Sequence, residues 1–124
     1  MTAGCDPIEF RSVMGRFVTG VTVVTVRDGA GPHGVTVNSF TSLSLDPPLI
    51  GVCVRRAGRS AAALRRGTHF GVSILGAGQE ELGRFFARAD RPSGVGAFDR
   101  VPHRIGVAEE IGRASCRERV YHPV

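Results

Sequence analysis

Between Gly34 and Leu49 the sequence reads GVTVNSFTSLSLDPPL, placing Thr36, Asn38, Ser39, Thr41, Ser42 and Ser44 in a run otherwise patterned like a buried strand. Alternate side chains of a strand share a face, so Thr36, Asn38, Phe40 and Ser42 fall to one side and Val35, Val37, Ser39, Thr41 and Leu43 to the other. Neither face is purely apolar. A buried hydroxyl or amide without a partner costs about 1–3 kcal/mol, so such a strand needs water, neighbouring strands or a polar ligand beside it. The plainer alternative is threonine and serine used as β-formers on a partly solvated strand. A second cluster, RRAGRSAAALRR at Arg55 to Arg66, sets Ser60 at an expected helix start beside Arg55, Arg56 and Arg59. Free amides at a helix start together with guanidinium groups suit an anion, whereas a capped helix with solvated arginines would need no ligand. Taken together, one strand could read a flat heterocycle through its backbone and the cluster one hairpin later could hold a phosphate.

Other chemistries find less support. His33, His69, His103 and His122 are scattered, with no carboxylate or cysteine at a motif spacing, and HExxH, GxSxG and Walker patterns are absent. His33, in GPHG, is expected in a solvated turn, and His69 as a satisfied histidine opening a strand. Cys5, Cys53 and Cys116 form no CxxC pair and no zinc pattern. Cys53, inside LIGVCV, is expected to be a small buried hydrophobe. The glycines make no GxGxxG at a strand-to-helix junction, which argues against a Rossmann site.

The length of 124 residues suits one domain, and a hydrophobic share of 42% is ordinary for a globular one. All sixteen basic residues are arginine and the net charge is +5, but outside Arg55–Arg66 they are dispersed and not interleaved with aromatic residues. That pattern argues against nucleic acid as a partner. No apolar run has the length of a membrane span and the start lacks a signal-peptide pattern, so a cytoplasmic location is expected.

The elements that must position these residues are readable in order. Asp6 can cap a helix with Pro7 at its first position and Glu9 in capping-box spacing. Phe10, Val13, Met14 and Phe17 make one apolar stripe on it, read as an ordinary packing face, and Gly20 ends it. VTVVTV (Val21 to Val26) predicts a strand, and RDGAGPHG a long loop leading to a second strand from Gly34 to Leu45. DPP should interrupt pairing, and LIGVCV should be a strand buried on both faces. SAAALRRG predicts a helix capped by Ser60 and ended by Gly67, and HFGVSIL another strand. GQEELGRFFARA predicts an amphipathic helix with Leu82, Phe85 and Phe86 inward. A loop and a short apolar piece, IGVA, follow. Strands broken by short helices without strict βαβ alternation point to an antiparallel barrel with helical additions.

In order and spacing, FVTGVTVVTV, GVTVNSFTSLSLDPPLIGVCV, RSAAALRRGTHFGVSIL and QEELGRFFA resemble the flavin reductase-like FMN-binding split-barrel family, which includes the reductase components of two-component flavin monooxygenases. The likeness runs from Phe10 to Ala108, and TVNSFTSLSLDPPL is its most specific stretch. It implies a mainly β fold, a six-stranded antiparallel split β-barrel with short helical additions, working as a homodimer. It also implies FMN (or FAD) near the subunit interface, NADH or NADPH as co-substrate, and a flavin-dependent monooxygenase component as partner. By this resemblance Thr36, Val37, Asn38 and Ser39 lie along the isoalloxazine ring, and Ser42 and Ser44 near the ribityl-phosphate path. Arg55 and Ser60 would help hold the phosphate end, with Phe86 near the cofactor or the dimer contact.

The implied reaction passes hydride from nicotinamide to flavin N5, with the protein supplying position, water exclusion and electrostatics rather than an acid–base pair or a metal. A flavin-binding module without turnover, or a pyridoxamine-phosphate-oxidase-like flavin oxidase or monooxygenase, is the alternative. Members of the family continue with further strands and a Gly-Asp-His-type segment, where this chain has EEIGRASCRERVYHPV. The expected organisation is therefore a split-barrel domain over 1–108, incomplete at its C-terminal end, and an atypical tail over 109–124. The tail reads as read-through into unrelated sequence or as a native disordered segment.

Overall fold

The computed structural model describes residues 4–101 and, for the backbone, 118–121. His103, Cys116, His122, the IGVA piece and the boundary expected at residue 108 lie outside the described residues.

The described residues are mainly β with three short α-helices. Helix α1 spans Pro7–Met14, with Asp6 as its N-cap: the Asp6 carboxylate accepts from the Ile8 N–H at 3.2 Å. The expected start is met, but the helix ends at Gly15 and none of its residues is buried. Phe10, Val13, Met14 and the following Phe17 are each about half exposed or more, so the stripe read as a packing face is not buried by the described residues.

Strands β1 (Thr22–Asp28) and β2 (Gly31–Val37) form an antiparallel hairpin in which Asp28 pairs with Gly31. The long loop expected over RDGAGPHG is thus a two-residue turn. The Asp28 carboxylate accepts from the Ala30 N–H at 2.8 Å, and Gly31 takes a φ of 111° that a side chain would resist. Strand β5 (Phe70–Ile74) pairs with the other side of β1, and β6 (Glu118–Tyr121) with β5, giving the order β2-β1-β5-β6.

The single strand expected from Gly34 to Leu45 is two. After Val37 the backbone leaves the sheet, and β3 (Thr41–Leu45) pairs with β4 (Pro48–Gly51) in a separate two-stranded sheet. Asp46-Pro47 is the turn between them, so the DPP sequence turns a hairpin where an interruption was expected. Ser39 marks the departure. Its hydroxyl accepts from the Cys53 N–H at 2.9 Å and lies 3.3 Å from the Cys53 carbonyl, standing in for ladder bonds. LIGVCV is likewise not buried on both faces: Ile50, Val52 and Val54 pack inward while Cys53 is exposed. A uniformly apolar run carries no alternation from which its faces could be told.

Helix α2 (Arg59–Arg66) is capped two residues earlier than expected, with Gly58 rather than Ser60 at its N-cap. A 3-10 turn at Ala77–Gln79 leads into α3 (Glu80–Ala87), whose Phe86 is buried and whose Leu82 and Phe85 are partly so, as expected.

β1 separates two apolar cores. Val23 faces Phe86, Ala97, Phe98 and Val101, while its neighbour Val24 faces Val37 and Val72, backed by Phe40, Ile50, Val52 and Leu64. Period-2 alternation sends consecutive residues to opposite faces. Both faces are covered, one by α3 and the 97–101 segment and the other by α2 and the β3–β4 extension, so β1 is buried from Thr22 to Val26.

Candidate functional site

Where the end of β2 leaves the sheet, a cleft of about 390 Å³ opens between Val35–Ser39, the Cys53–Arg55 segment, the start of α2 and the residues just after α3. That volume falls within the roughly 300–1,000 Å³ of small-molecule sites. The two clusters singled out in the sequence meet here: Thr36, Val37, Asn38 and Ser39 form one wall, and Arg55 and Ser60 lie on another. Ser42 and Ser44 are on the β3–β4 hairpin, and Phe86 is fully buried in the core with edge-on contacts to Phe85 and Phe98. None of these three lines the cleft.

Thr36 of β2 and Ser39 just beyond it have partners of their own. The Thr36 hydroxyl donates to the Gly83 carbonyl of α3 at 2.6 Å, and Ser39 is engaged with Cys53. Asn38 is exposed at the cleft wall. Thr36 and Ser39 are thus engaged within the chain, while Asn38 is exposed at the cleft.

Sequence reasoning missed two residues. His33, expected in a solvated turn, is 3% exposed, because the tight Gly29-Ala30 turn makes Pro32 and His33 part of β2, under the segment that follows α3. Arg91, in a stretch read only as loop, is 9% exposed and lines the cleft. The His33 ring lies between Ser93 Oγ (2.9 Å from Nδ1) and Ser60 Oγ (3.0 Å from Nε2). Arg91 Nη2 donates to Ser60 Oγ at 2.9 Å and stands 3.4 Å from His33 Nε2.

An arginine can only donate, so Nε2 must be the accepting nitrogen and the ring proton belongs on Nδ1, directed to Ser93. The Ser60 hydroxyl proton then goes to Nε2. Burial first, and then the charges of Arg91 and Arg59, push the His33 pKa down to about 4, so the ring is neutral near pH 7. Ser60 therefore links His33 to Arg91, rather than capping α2.

Arg91 also donates from Nε to the Gly34 carbonyl (2.7 Å) and from Nη1 to the Arg88 carbonyl (2.8 Å). Burial lowers its pKa, with Arg59 adding to the effect, yet an arginine keeps its charge in proteins. Arg59 crosses the other way, from α2 to the Ala89 (2.7 Å) and Arg91 (3.2 Å) carbonyls. Arg55, Arg59 and Arg91 thus line the same cleft as the exposed strand end with Asn38. A planar polar heterocycle carrying a phosphate fits that donor set. Among the described residues no cluster of histidine, cysteine or acidic side chains could hold a metal.

The flavin reductase-like domain model matches residues 14–117, and this chain belongs to that family. It is 48% identical over 120 residues to an NADH-dependent FAD reductase of Streptomyces globisporus, covering 94% of this chain and 63% of the relative. It is 38% identical over 114 residues to the reductase component of a 4-nitrophenol 4-monooxygenase/4-nitrocatechol 2-monooxygenase of Rhodococcus opacus, covering 90% and 61%. The solved structure of the NADH:FAD oxidoreductase of Streptomyces globisporus C-1027 with NAD and FAD fragments superposes with a TM-score of 0.76 at 38% identity, covering 98% of this chain and 75% of that one. The chain thus spans a little over three-fifths of the length of these two curated relatives.

Proposed function

We propose that this chain is the flavin-binding part of an NAD(P)H-dependent flavin reductase, taking FMN or FAD and delivering reduced flavin to a flavin-dependent monooxygenase component. The observation that carries this reading is the convergence of Thr36–Ser39 with Arg55, Arg59 and Arg91 on one cleft. The names of the relatives supply the reaction and the two-component setting. In this reading the backbone of Val35–Ser39 and the Asn38 amide face the flavin ring, and the three arginines face its phosphate. The ring, when bound, supplies the two-electron chemistry, and the residues supply position and charge. The strand pairs described above belong to a split barrel, and its functional form is a cytoplasmic homodimer. The exposed Phe10, Val13, Met14 and Phe17 stripe supports such a dimer, because a row of large apolar side chains left in water favours association.

The test is a titration of the chain with FMN and with FAD followed by flavin fluorescence, then NADH and NADPH oxidation at saturating flavin. Binding of a flavin and its reduction by one nicotinamide are expected. Binding without reduction would leave a flavin-binding module, and no binding of either flavin would overturn the site.

A further inference from the structure

The Ser39 hydroxyl joins two segments that belong to no strand. Residues 38–40 lie between the end of β2 and the start of β3, and Cys53 lies two residues past the end of β4. Ser39 Oγ accepts from the Cys53 N–H at 2.9 Å and stands 3.3 Å from the Cys53 carbonyl oxygen, so one hydroxyl meets both backbone groups of that residue. The bond from the N–H is the firmer of the two. Both segments joined by this contact line the cleft, Val35 to Ser39 on one part of it and Cys53 to Arg55 on another. Around Cys53 the side chains alternate: Val52 and Val54 pack on the core of Val24, Val37 and Val72, while Cys53 and Arg55 are exposed. A bond that fixes the Cys53 peptide therefore fixes how Val54 and Arg55 enter the cleft wall. For stability alone the bond offers little, since both residues are exposed and water competes for the same groups.

Resting on the flavin-site reading above, we propose that Ser39 is a positioning residue, whose hydroxyl holds the Cys53 peptide and with it the 53–55 wall in place for the ligand, and makes no bond to the ligand itself. The family resemblance sets Ser39 along the flavin ring. With the hydroxyl turned onto the Cys53 backbone, the main chain at position 39 is what remains to face that ring. A wall already held where the bound state needs it spares the ligand the cost of ordering it. The hydroxyl thus contributes to affinity through a neighbour it shares with the cleft.

The experiment measures amide hydrogen exchange at Cys53 by NMR in the ligand-free chain, and FMN affinity by flavin fluorescence, for the unaltered chain, Ser39→Ala and Ser39→Thr. Ser39→Ala, at an exposed position, keeps the fold. It should speed exchange at the Cys53 amide and weaken FMN binding roughly 3- to 10-fold, the worth of one neutral hydrogen bond. Ser39→Thr, which keeps the hydroxyl, should return both toward the unaltered values. Weaker FMN binding with unchanged exchange in Ser39→Ala would place the hydroxyl on the ligand and overturn the positioning role. Faster exchange with unchanged FMN affinity overturns it too, leaving the bond a purely structural one. Should Ser39→Thr not fold, the two measurements on Ser39→Ala decide alone. Those results overturn this inference by itself, whereas an unaltered chain that binds no FMN overturns the flavin site and this role together.

Discussion

The ring of Phe86 occupies the space that any side chain at position 34 would need: a Cβ built on Gly34 would lie 2.7 Å from Phe86 Cε1. The pair joins α3 to β2 at the residue whose carbonyl holds Arg91, so packing in the core and geometry in the cleft meet at one position. Gly34→Ala should destabilise the fold by roughly 1–3 kcal/mol through overpacking, and should weaken flavin binding beyond what the lost stability explains. Denaturant unfolding and flavin titration on the same variant separate the two effects. Phe86→Leu in the Gly34→Ala background should recover part of the stability, and a purely additive pair would show that the contact is not the cause.

His33 gives the fold an acid-side dependence. Its pKa is pushed down to about 4 in the folded chain, against an ordinary value of 6.5. The unfolded chain therefore binds a proton that the folded chain refuses between those values. Stability from this group is complete above pH 6.5 and falls as the pH drops toward 4, by on the order of 2–3 kcal/mol over the window. His33→Asn should flatten that part of the stability–pH profile. An unchanged slope in the variant would assign the acid sensitivity elsewhere.

Thr36 and Asn38, two positions apart on β2 and its continuation, should separate stability from binding. Thr36→Val removes the hydroxyl that donates to Gly83 and should cost about 1–2 kcal/mol of stability with a small effect on flavin affinity. Asn38→Ala, at an exposed position, should leave unfolding within about 0.5 kcal/mol and reduce flavin affinity several-fold. Reversal of that pattern would place the ligand against Thr36 instead.

The exposed stripe of α1 should be read out in mass. Phe10→Ser combined with Phe17→Ser should shift sedimentation toward the monomer without lowering the melting temperature of the monomer, because both side chains are more than half exposed. A double variant that stays dimeric would move the contact to another face.

Much of this was legible in the residues themselves. Asp6 and Pro7 announce α1, the β-branched run announces β1, and the inward set of α3 follows from its spacing. The convergence of Thr36–Ser39 with Arg55 and Ser60 was accessible as well, since a polar strand and an arginine–serine cluster one hairpin apart are local signals. His33 and Arg91 were not. GPHG has turn composition whether the turn takes two residues or six, and only the tight pairing of Asp28 with Gly31 puts His33 indoors. Arg91 sits in ADRPSG, a loop by every local measure, and becomes buried because α2 and β2 close over it from 31 and 57 positions away. Ser60 was read as a helix cap; the cap lies two residues earlier, at Gly58, and the Ser60 hydroxyl meets His33 and Arg91 instead.

The burial of β1 on both sides has one further consequence. A strand with one wet face resists slipping, because a one-residue shift would carry its apolar set into water. β1 has no wet face between Thr22 and Val26, so its valines would remain among hydrocarbon after such a shift and cannot by themselves hold it in place. Its alignment must be fixed by hardware at the two ends: the Thr22 hydroxyl clipped to the Val37 carbonyl at 2.8 Å, and the turn beyond Asp28 cinched by Ala30. Those two clips also determine where Gly34 and Asn38 fall along the sheet edge. The cleft is therefore gauged by a threonine and an aspartate that do not line it.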